Sequence, residues 1–356
     1  MNSTNITNAS SASCFRMKCQ FTVGERIAII LFFSAIFLAS LAGNCILFLA
    51  IIRNARLRRS STNFSMLSLS LANIFITIFC IPVFTIDAFI AERWVFGVIG
   101  CKLVNFLQNM AINASIMTLL VISVEKFLVV YFPFKMRAQR TKVRYLVLGA
   151  WIVGIVNSSV YLNYRTVKQI HGISFCMENW PSPKTRKMYV VIQAFVLRFL
   201  ALAFMIGLHA ATIKRIQARL KYRRENDDDI FRESDTMQIS SHGLRLRKKA
   251  VSMLVVIVVV SVLTLFPFYI MVCWRMLANP QITDFFALNV AAIMTMWLMY
   301  CNSVCHPIIF GLMSTQYRRA AKTLSVSRKS PATSRNISNM RKQTREEQII
   351  MTEQNS

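Results

Sequence analysis

Seven long apolar stretches constrain this chain more than any other feature. They run over residues 27–52, 64–90, 102–131, 145–164, 188–213, 250–274 and 285–313. At about 1.5 Å of rise per residue, a helix of roughly 20 residues covers a hydrocarbon layer about 30 Å thick, and each stretch is at least that long. With 55% hydrophobic and only 16% charged residues, seven such helices in succession cannot be clothed in the polar surface a soluble domain needs. The fold class expected is an all-α membrane protein, a seven-transmembrane helix bundle.

The net charge of +27 raises the question of nucleic acid, and the placement of the basic residues answers it. They gather in alternate connections and in the tail: "RNARLRR", "KMRAQRTKVR", "KRIQARLKYRR" with "RLRKK", and "YRRAAK". Lys and Arg concentrate on the cytoplasmic side of membrane proteins, so these segments read as cytoplasmic and attracted to anionic membrane lipids, with no nucleic-acid partner. The N-terminus then lies outside the plasma membrane, and "NST", "NIT" and "NAS" offer glycosylation acceptors at Asn2, Asn5 and Asn8. This divides the chain into an extracellular tail over 1–25, a membrane domain over 26–322 and a disordered cytoplasmic tail over 323–356. Within the second of these, "STQYRRAAKTL" alternates apolar and basic faces at helical spacing and predicts a short amphipathic helix on the membrane surface.

Of nine cysteines, Cys14, Cys19, Cys101 and Cys176 fall on the outer side. A Cys101–Cys176 bridge in the oxidising exterior would pin the long connection after the fourth run to the start of the third, worth about 4 kcal/mol on a chain-entropy model. Cys14 and Cys19 either pair locally or remain thiols. The four histidines, His171, His209, His242 and His306, form no metal-binding or catalytic pattern, and no nucleophile elbow or phosphate loop is present. No enzyme, cofactor or metal site is expected. A channel or transporter is a remote alternative, without inverted repeats to support it.

Several residues in a fixed order carry a resemblance: Gly43–Asn44, "SLAN" ending at Asn73, Pro82, Trp94 with "FG", Cys101, "SVEKF" at 123–127, Trp151, Cys176, Pro267 and "NSVCHP" at 302–307. Over residues 25 to 320 the chain resembles a rhodopsin-like (class A) G-protein-coupled receptor, and its "PIIFGLMSTQYRR" stretch resembles that of neuropeptide receptors. The resemblance implies an activation relay through Asn73, Ser115, Glu125, Lys126, Phe266, Pro267, Asn302, His306, Pro307 and Phe310. Several of these depart from the family pattern. Asn73 stands where the family has the carboxylate of a sodium site, which implies sodium insensitivity; Ser115, Asn302 and His306 are expected to cluster with it. Glu125-Lys126-Phe127 replaces an acidic residue, Arg and Tyr, and Lys lacks the planar fork of Arg. Leu265 occupies the place of a switch Trp, leaving Phe266 to bear it, while His306 and Phe310 replace Asn and Tyr around Pro307.

On the outer half, Gln108 stands where aminergic receptors carry Asp, so a monoamine has no counter-ion, and the seventh run has no Lys for an opsin's Schiff base. Gln108, Asp87, Arg198, Arg275 and Tyr300 suggest a polar pocket for a peptide, with Arg198 or Arg275 meeting an acidic or amidated end. The connection from 165 to 187 is long enough for the hairpin such receptors present to peptides. Implied partners are an extracellular peptide, a heterotrimeric G protein and an arrestin-like protein drawn to phosphorylated Ser325, Ser327, Ser330, Thr333 or Ser334. The alternative is a weakly coupling or non-signalling receptor-like protein that binds, scavenges or pairs with another receptor.

Overall fold

The computed structural model describes residues 21–91, 93–132, 140–170, 172–226, 234–277 and 285–326. Asn2, Asn5, Asn8, Cys14, Cys19 and the tail hydroxyls from Ser327 onward lie outside the described residues. So do the side chain of Arg275 and the middle of the third inner connection, 227–233.

The seven apolar stretches form seven helices long and apolar enough to cross a membrane. They are α1 (Val23–Arg53), α2 (Ser61–Ile90), α3 (Gly97–Tyr131), α4 (Thr141–Tyr164), α5 (Pro183–Tyr222), α6 (Ser234–Leu277) and α7 (Phe285–Met313). Caps rather than hydrophobicity set some of the ends. At the start of α1, Thr22 Oγ1 accepts from the Glu25 amide at 3.3 Å while Glu25 Oε2 accepts from the Thr22 amide at 2.8 Å. This reciprocal capping starts the helix at Val23, ahead of the apolar run and inside the segment expected to be tail. Pro183 opens α5, at a position where its missing N–H would be unpaired in any case.

Two helices carry π-helical turns, α2 at Ile76–Cys80 and Ile86–Ile90 and α5 at Phe195–Leu200. In α2 the turns flank Pro82, which cannot donate to the ladder. α5 and α6 run well past their apolar stretches and extend the helices into the third inner connection. Beyond Ser314, α8 (Thr315–Val326) buries Tyr317 and Ala320 and exposes Arg318, Arg319 and Lys322, the amphipathic division expected. It runs to Val326, past residue 322.

Between α4 and α5 an antiparallel hairpin pairs β1 (Arg165–Ile170) with β2 (Ile173–Glu178), placing Val167 opposite Cys176. Cys176 is bonded to Cys101, the fifth residue of α3, with 5.5 Å between their Cα atoms. The Trp94 amide donates to the Ser174 carbonyl at 2.8 Å, so the α2–α3 connection is tied to the same hairpin.

Inside the bundle the buried apolar residues form an inner cluster around Ile51, Leu69, Ile122, Met205, Ile257 and Phe310 and an outer one around Phe33, Ile81, Ala111, Ile116 and Tyr300. Leu31, Ile152, Val156, Phe204, Leu263 and Leu312 are each more than half exposed on the outside. Apolar side chains on both faces of a helix suit a lipid surround, where the interior faces other helices and the exterior faces acyl chains. Two glycines permit close approach. A Cβ on Gly43 would stand 2.7 Å from the Pro307 ring, and one on Gly154 2.9 Å from the Met110 carbonyl oxygen.

Candidate functional site

Pro307 lies inside α7, and a proline there leaves the carbonyl four residues earlier, that of Ser303, without its helical donor. Asn44 supplies one, donating from Nδ2 to the Ser303 carbonyl at 2.9 Å and to the Ser40 carbonyl at 2.8 Å. Gly43, the preceding residue, admits the proline ring itself. The Gly-Asn pair of α1 therefore answers both demands of the proline in α7, steric and hydrogen-bonding.

From Asn44 a chain of polar groups crosses the bundle. Asn73 Nδ2 of α2 donates to Asn44 Oδ1 at 3.1 Å and to His306 Nδ1 at 3.1 Å. An amide nitrogen can only donate, so Nδ1 is the accepting nitrogen, and the neutral imidazole carries its proton on Nε2. That atom lies 3.4 Å from Ser261 Oγ on α6. His306, fully enclosed, thereby joins α2, α6 and α7 through one side chain. Ser40 closes the outer edge of the network, 2.6 Å from Thr77 Oγ1 and 2.9 Å from Ser303 Oγ.

Beside this network is a small cavity, about 20 Å³ in extent for the centre of a water molecule, bounded by Asn73, Ser115, Ser261, Leu265, Asn302 and His306. Its wall has hydroxyl, amide and imidazole groups but no carboxylate, so a cation entering it meets no opposite charge. The expected cluster is only partly hydrogen-bonded. Asn302 Oδ1 accepts from Thr264 at 3.2 Å rather than from Asn73, and Ser115 Oγ is buried without a protein partner. Among the described residues no group of three or more His, Cys, Asp or Glu converges as a metal site.

Toward the inner end, Glu125 and Lys126 do not pair with each other. Glu125 Oε1 accepts from Ser61 at 2.6 Å and from Thr62 at 3.1 Å, and Lys126 Nζ donates to the same Thr62 hydroxyl. Thr62 thus stands between the two charges, accepting from one and donating to the other. Neighbours in a helix point about 100° apart, and here a hydroxyl of α2 lies between them. Phe310 packs against Tyr317 of α8 with ring centroids 5.8 Å apart. The hydroxyl that Phe310 lacks is carried by Tyr317, which donates to Asn63 Oδ1 and so fastens α8 to α2. Burial pushes the Tyr317 phenol above its ordinary pKa.

In the outer half, Gln108 Nε2 donates to Tyr300 Oη at 3.4 Å, and Tyr300 is enclosed by Phe33 and Phe84. Asp87 is exposed on the second π-helical turn of α2. Phe266 packs edge-on against Phe199 of α5 at 4.6 Å, and Leu265 faces the polar cavity instead. Arg198, on the π-helical turn of α5, is 4% exposed; it donates to Gln193 at 3.0 Å and lies 4.1 Å from the Tyr269 ring centroid. Over the hairpin, Glu178 binds Arg165 at 2.8 Å and Arg186 at 2.6 Å and accepts from the Trp180 indole at 2.9 Å. Burial pushes the Glu178 carboxyl up, yet Arg165 and then Arg186 and Trp180 outweigh it and hold the pKa below the usual carboxylate range.

The sequence model of the 7 transmembrane receptor (rhodopsin family) matches residues 43–310, which takes in the Gly43 contact, the disulfide, the polar network apart from Ser40, and Phe310. The chain belongs to the rhodopsin family of seven-transmembrane receptors. Among its relatives are galanin receptor 2a of Danio rerio, 27% identical over 84% of this chain and 78% of that receptor, and human galanin receptor type 2, 26% identical over 84% and 73%. A QRFP-like peptide receptor of Branchiostoma floridae is 24% identical over 86% of this chain and 79% of its own length. The bonds of Asn73, His306 and Ser261 cross between α2, α6 and α7, so a relative shift of any of these helices would break them.

Thr62, Tyr317, Tyr269, Gln193 and Glu178 escaped the sequence reading. Thr62, Tyr317 and Tyr269 act through partners far away in the chain, whereas Gln193 and Glu178 meet partners two to thirteen residues away, across a helical turn or the hairpin. A partial signal existed at Tyr269, an aromatic with a polar end two residues after Pro267 in an apolar helix.

Proposed function

We propose that this protein is a plasma-membrane receptor, its N-terminus extracellular, activated by a peptide and transmitting to heterotrimeric G proteins. The observation that carries the ligand class is the company the chain keeps: the receptors it resembles over most of its length are named for galanin and for a QRFP-like peptide. Gln108 in place of an acid supports the same reading, since an ammonium ligand would have no counter-charge beside Tyr300. The hairpin, tied by Cys101–Cys176 and braced by Glu178, offers backbone edges and mixed charge at the mouth, features that suit an extended peptide.

The relay of Asn73, Ser115, Glu125, Lys126, Phe266, Pro267, Asn302, His306, Pro307 and Phe310 would carry the change inward, with Gln108, Asp87, Arg198, Arg275 and Tyr300 at the ligand end. Phosphorylation of tail hydroxyls would recruit an arrestin-like partner, and the basic connections would rest on anionic lipid. A panel of neuropeptides applied to cells bearing the receptor, with second-messenger output as the readout, tests the reading. A peptide agonist active at low concentration is expected; a potent monoamine, lipid or nucleotide with inert peptides would overturn it.

A weakly coupling receptor is the second reading, favoured by one observation: Lys126 is engaged by Thr62 and lacks the second arm with which Arg could hold one partner while reaching another.

A further inference from the structure

Arg198 is a charge in the wrong place for a purely structural residue. Its partner on α6, Tyr269, stands five residues inward of Trp274, where the α6 span ends, about 7.5 Å of helix rise below the outer surface. At that depth an unpaired guanidinium is costly, and bundle residues of this kind are ordinarily paired with an acid or a ligand. Among the described residues no carboxylate pairs with it. Its Nη1 meets only the neutral Gln193 carbonyl, and Nε is buried without any partner.

The surroundings hold the group in one pose. Tyr189 Oη donates to the Asn157 carbonyl at 2.9 Å and accepts from Gln193 Nε2 at 2.6 Å. That fixes the Gln193 amide with its oxygen toward Arg198, so the guanidinium is oriented from one side only. On the other side the Tyr269 ring covers it at 4.1 Å, and the Tyr269 hydroxyl is itself buried without a partner. A cation, an unused N–H and an unused O–H on facing helices are together a donor set without an acceptor. The π face of Tyr269 attracts the cation but supplies no negative charge.

We propose that Arg198 and Tyr269 form a carboxylate subsite, taking the acidic side chain or free C-terminal carboxylate of the activating peptide. One carboxylate oxygen accepts from the guanidinium and the other from the Tyr269 hydroxyl, after the tyrosine ring swings off the cation. The amide end, the other choice open from sequence, is a weaker match, because its NH₂ can only repeat the donors already there. The inference rests on the peptide reading for the source of the carboxylate; the anion chemistry stands on Arg198 and Tyr269 alone. It also links ligand to helix motion, because a bound group would replace the direct contact between α5 and α6 with a bridge of different length.

Purified receptor in lipid nanodiscs tests the subsite, with N-acetyl-tyrosyl-glutamate as the acidic probe and its fully amidated form as the neutral control. The acid at millimolar concentration is expected to raise the melting temperature by a few degrees and the amide to leave it unchanged. Tyr269→Phe should weaken the apparent affinity for the acid by about tenfold, Arg198→Gln should abolish the shift, and Lys184→Gln, at the exposed mouth, should preserve it. Ligand-free Arg198→Gln should melt at or above the wild type, because an uncompensated buried charge has been removed. If that variant does not fold, Arg198→Lys and Tyr269→Phe carry the comparison. An acid that shifts the melt no more than its amide, or equally in the Arg198 variants, overturns the subsite. Octanoate separates the source, for a shift from it at least as large as that from the dipeptide overturns the assignment to a peptide. Failure of the peptide reading would appear elsewhere, as a cell screen in which no peptide signals while the acid still binds in nanodiscs.

Discussion

At position 43 a methyl group would stand 2.7 Å from Pro307, and both atoms belong to helices whose backbones are locked by their neighbours. Gly43→Val should therefore lower receptor stability by about 2 kcal/mol, as overpacking of a tight contact does, read as a drop in melting temperature in nanodiscs. His306→Leu removes one of the two acceptors of Asn73 and a partner of Ser261 at once. Leaving buried polar groups unpaired costs about 1–3 kcal/mol, so this variant should melt lower than the wild type while His306→Asn, which keeps a polar group, loses less. The cavity beside these residues has no carboxylate. Replacing sodium by N-methyl-D-glucamine should leave the melting temperature of the ligand-free receptor unchanged, whereas Asn73→Asp should make it rise with sodium.

At the scale of the element, the hairpin is held from three directions, by Cys101, by the Trp94 contact and by the Arg165–Glu178–Arg186 set. The Glu178 carboxyl titrates below its ordinary value in the folded protein. Its contribution is therefore full above the unfolded carboxylate pKa of about 4.3 and is lost as pH falls through the lower folded value. The wild type should melt above Glu178→Gln by a constant margin from neutral pH down to about pH 5, and the margin should close as pH falls through the lower folded value. A margin independent of pH would mean that the carboxylate charge plays no part. The inner ends of α2 and α3 are coupled by Thr62, which serves both Glu125 and Lys126. Thr62→Val keeps the shape but removes donor and acceptor together, so agonist-free signalling should rise as α3 is released, measured at matched surface expression.

For the whole molecule the question is whether the altered relay still transmits. Lys126→Arg restores a two-armed donor at the inner end of α3, next to the Thr62 bridge. A strong gain in second-messenger output would identify a receptor held back by its own Lys; strong wild-type output that barely changes would identify one that signals through the Lys as it stands. Ligands typically couple distant sites by about 1–3 kcal/mol, and the relay here depends on several neutral contacts near 3 Å. Differences of one or two such bonds are thus large enough to decide the outcome.

The number of spans, their order and the Cys101–Cys176 disulfide were legible in the amino-acid sequence, the spans because an apolar run long enough to cross a bilayer has few alternatives to a helix. The amphipathic character of α8 was legible for a similar reason, its period being written in neighbouring residues. What tertiary structure alone decided is who meets whom. Asn44 answering the carbonyl freed by Pro307, Thr62 standing between Glu125 and Lys126, and Tyr317 carrying the hydroxyl missing from Phe310 each join residues from different helices. The sequence names the polar residues that must be satisfied inside a membrane. Which partners satisfy them follows from helix rotation and depth, and one residue of helix rotation, about 100°, turns a side chain from its partner toward lipid.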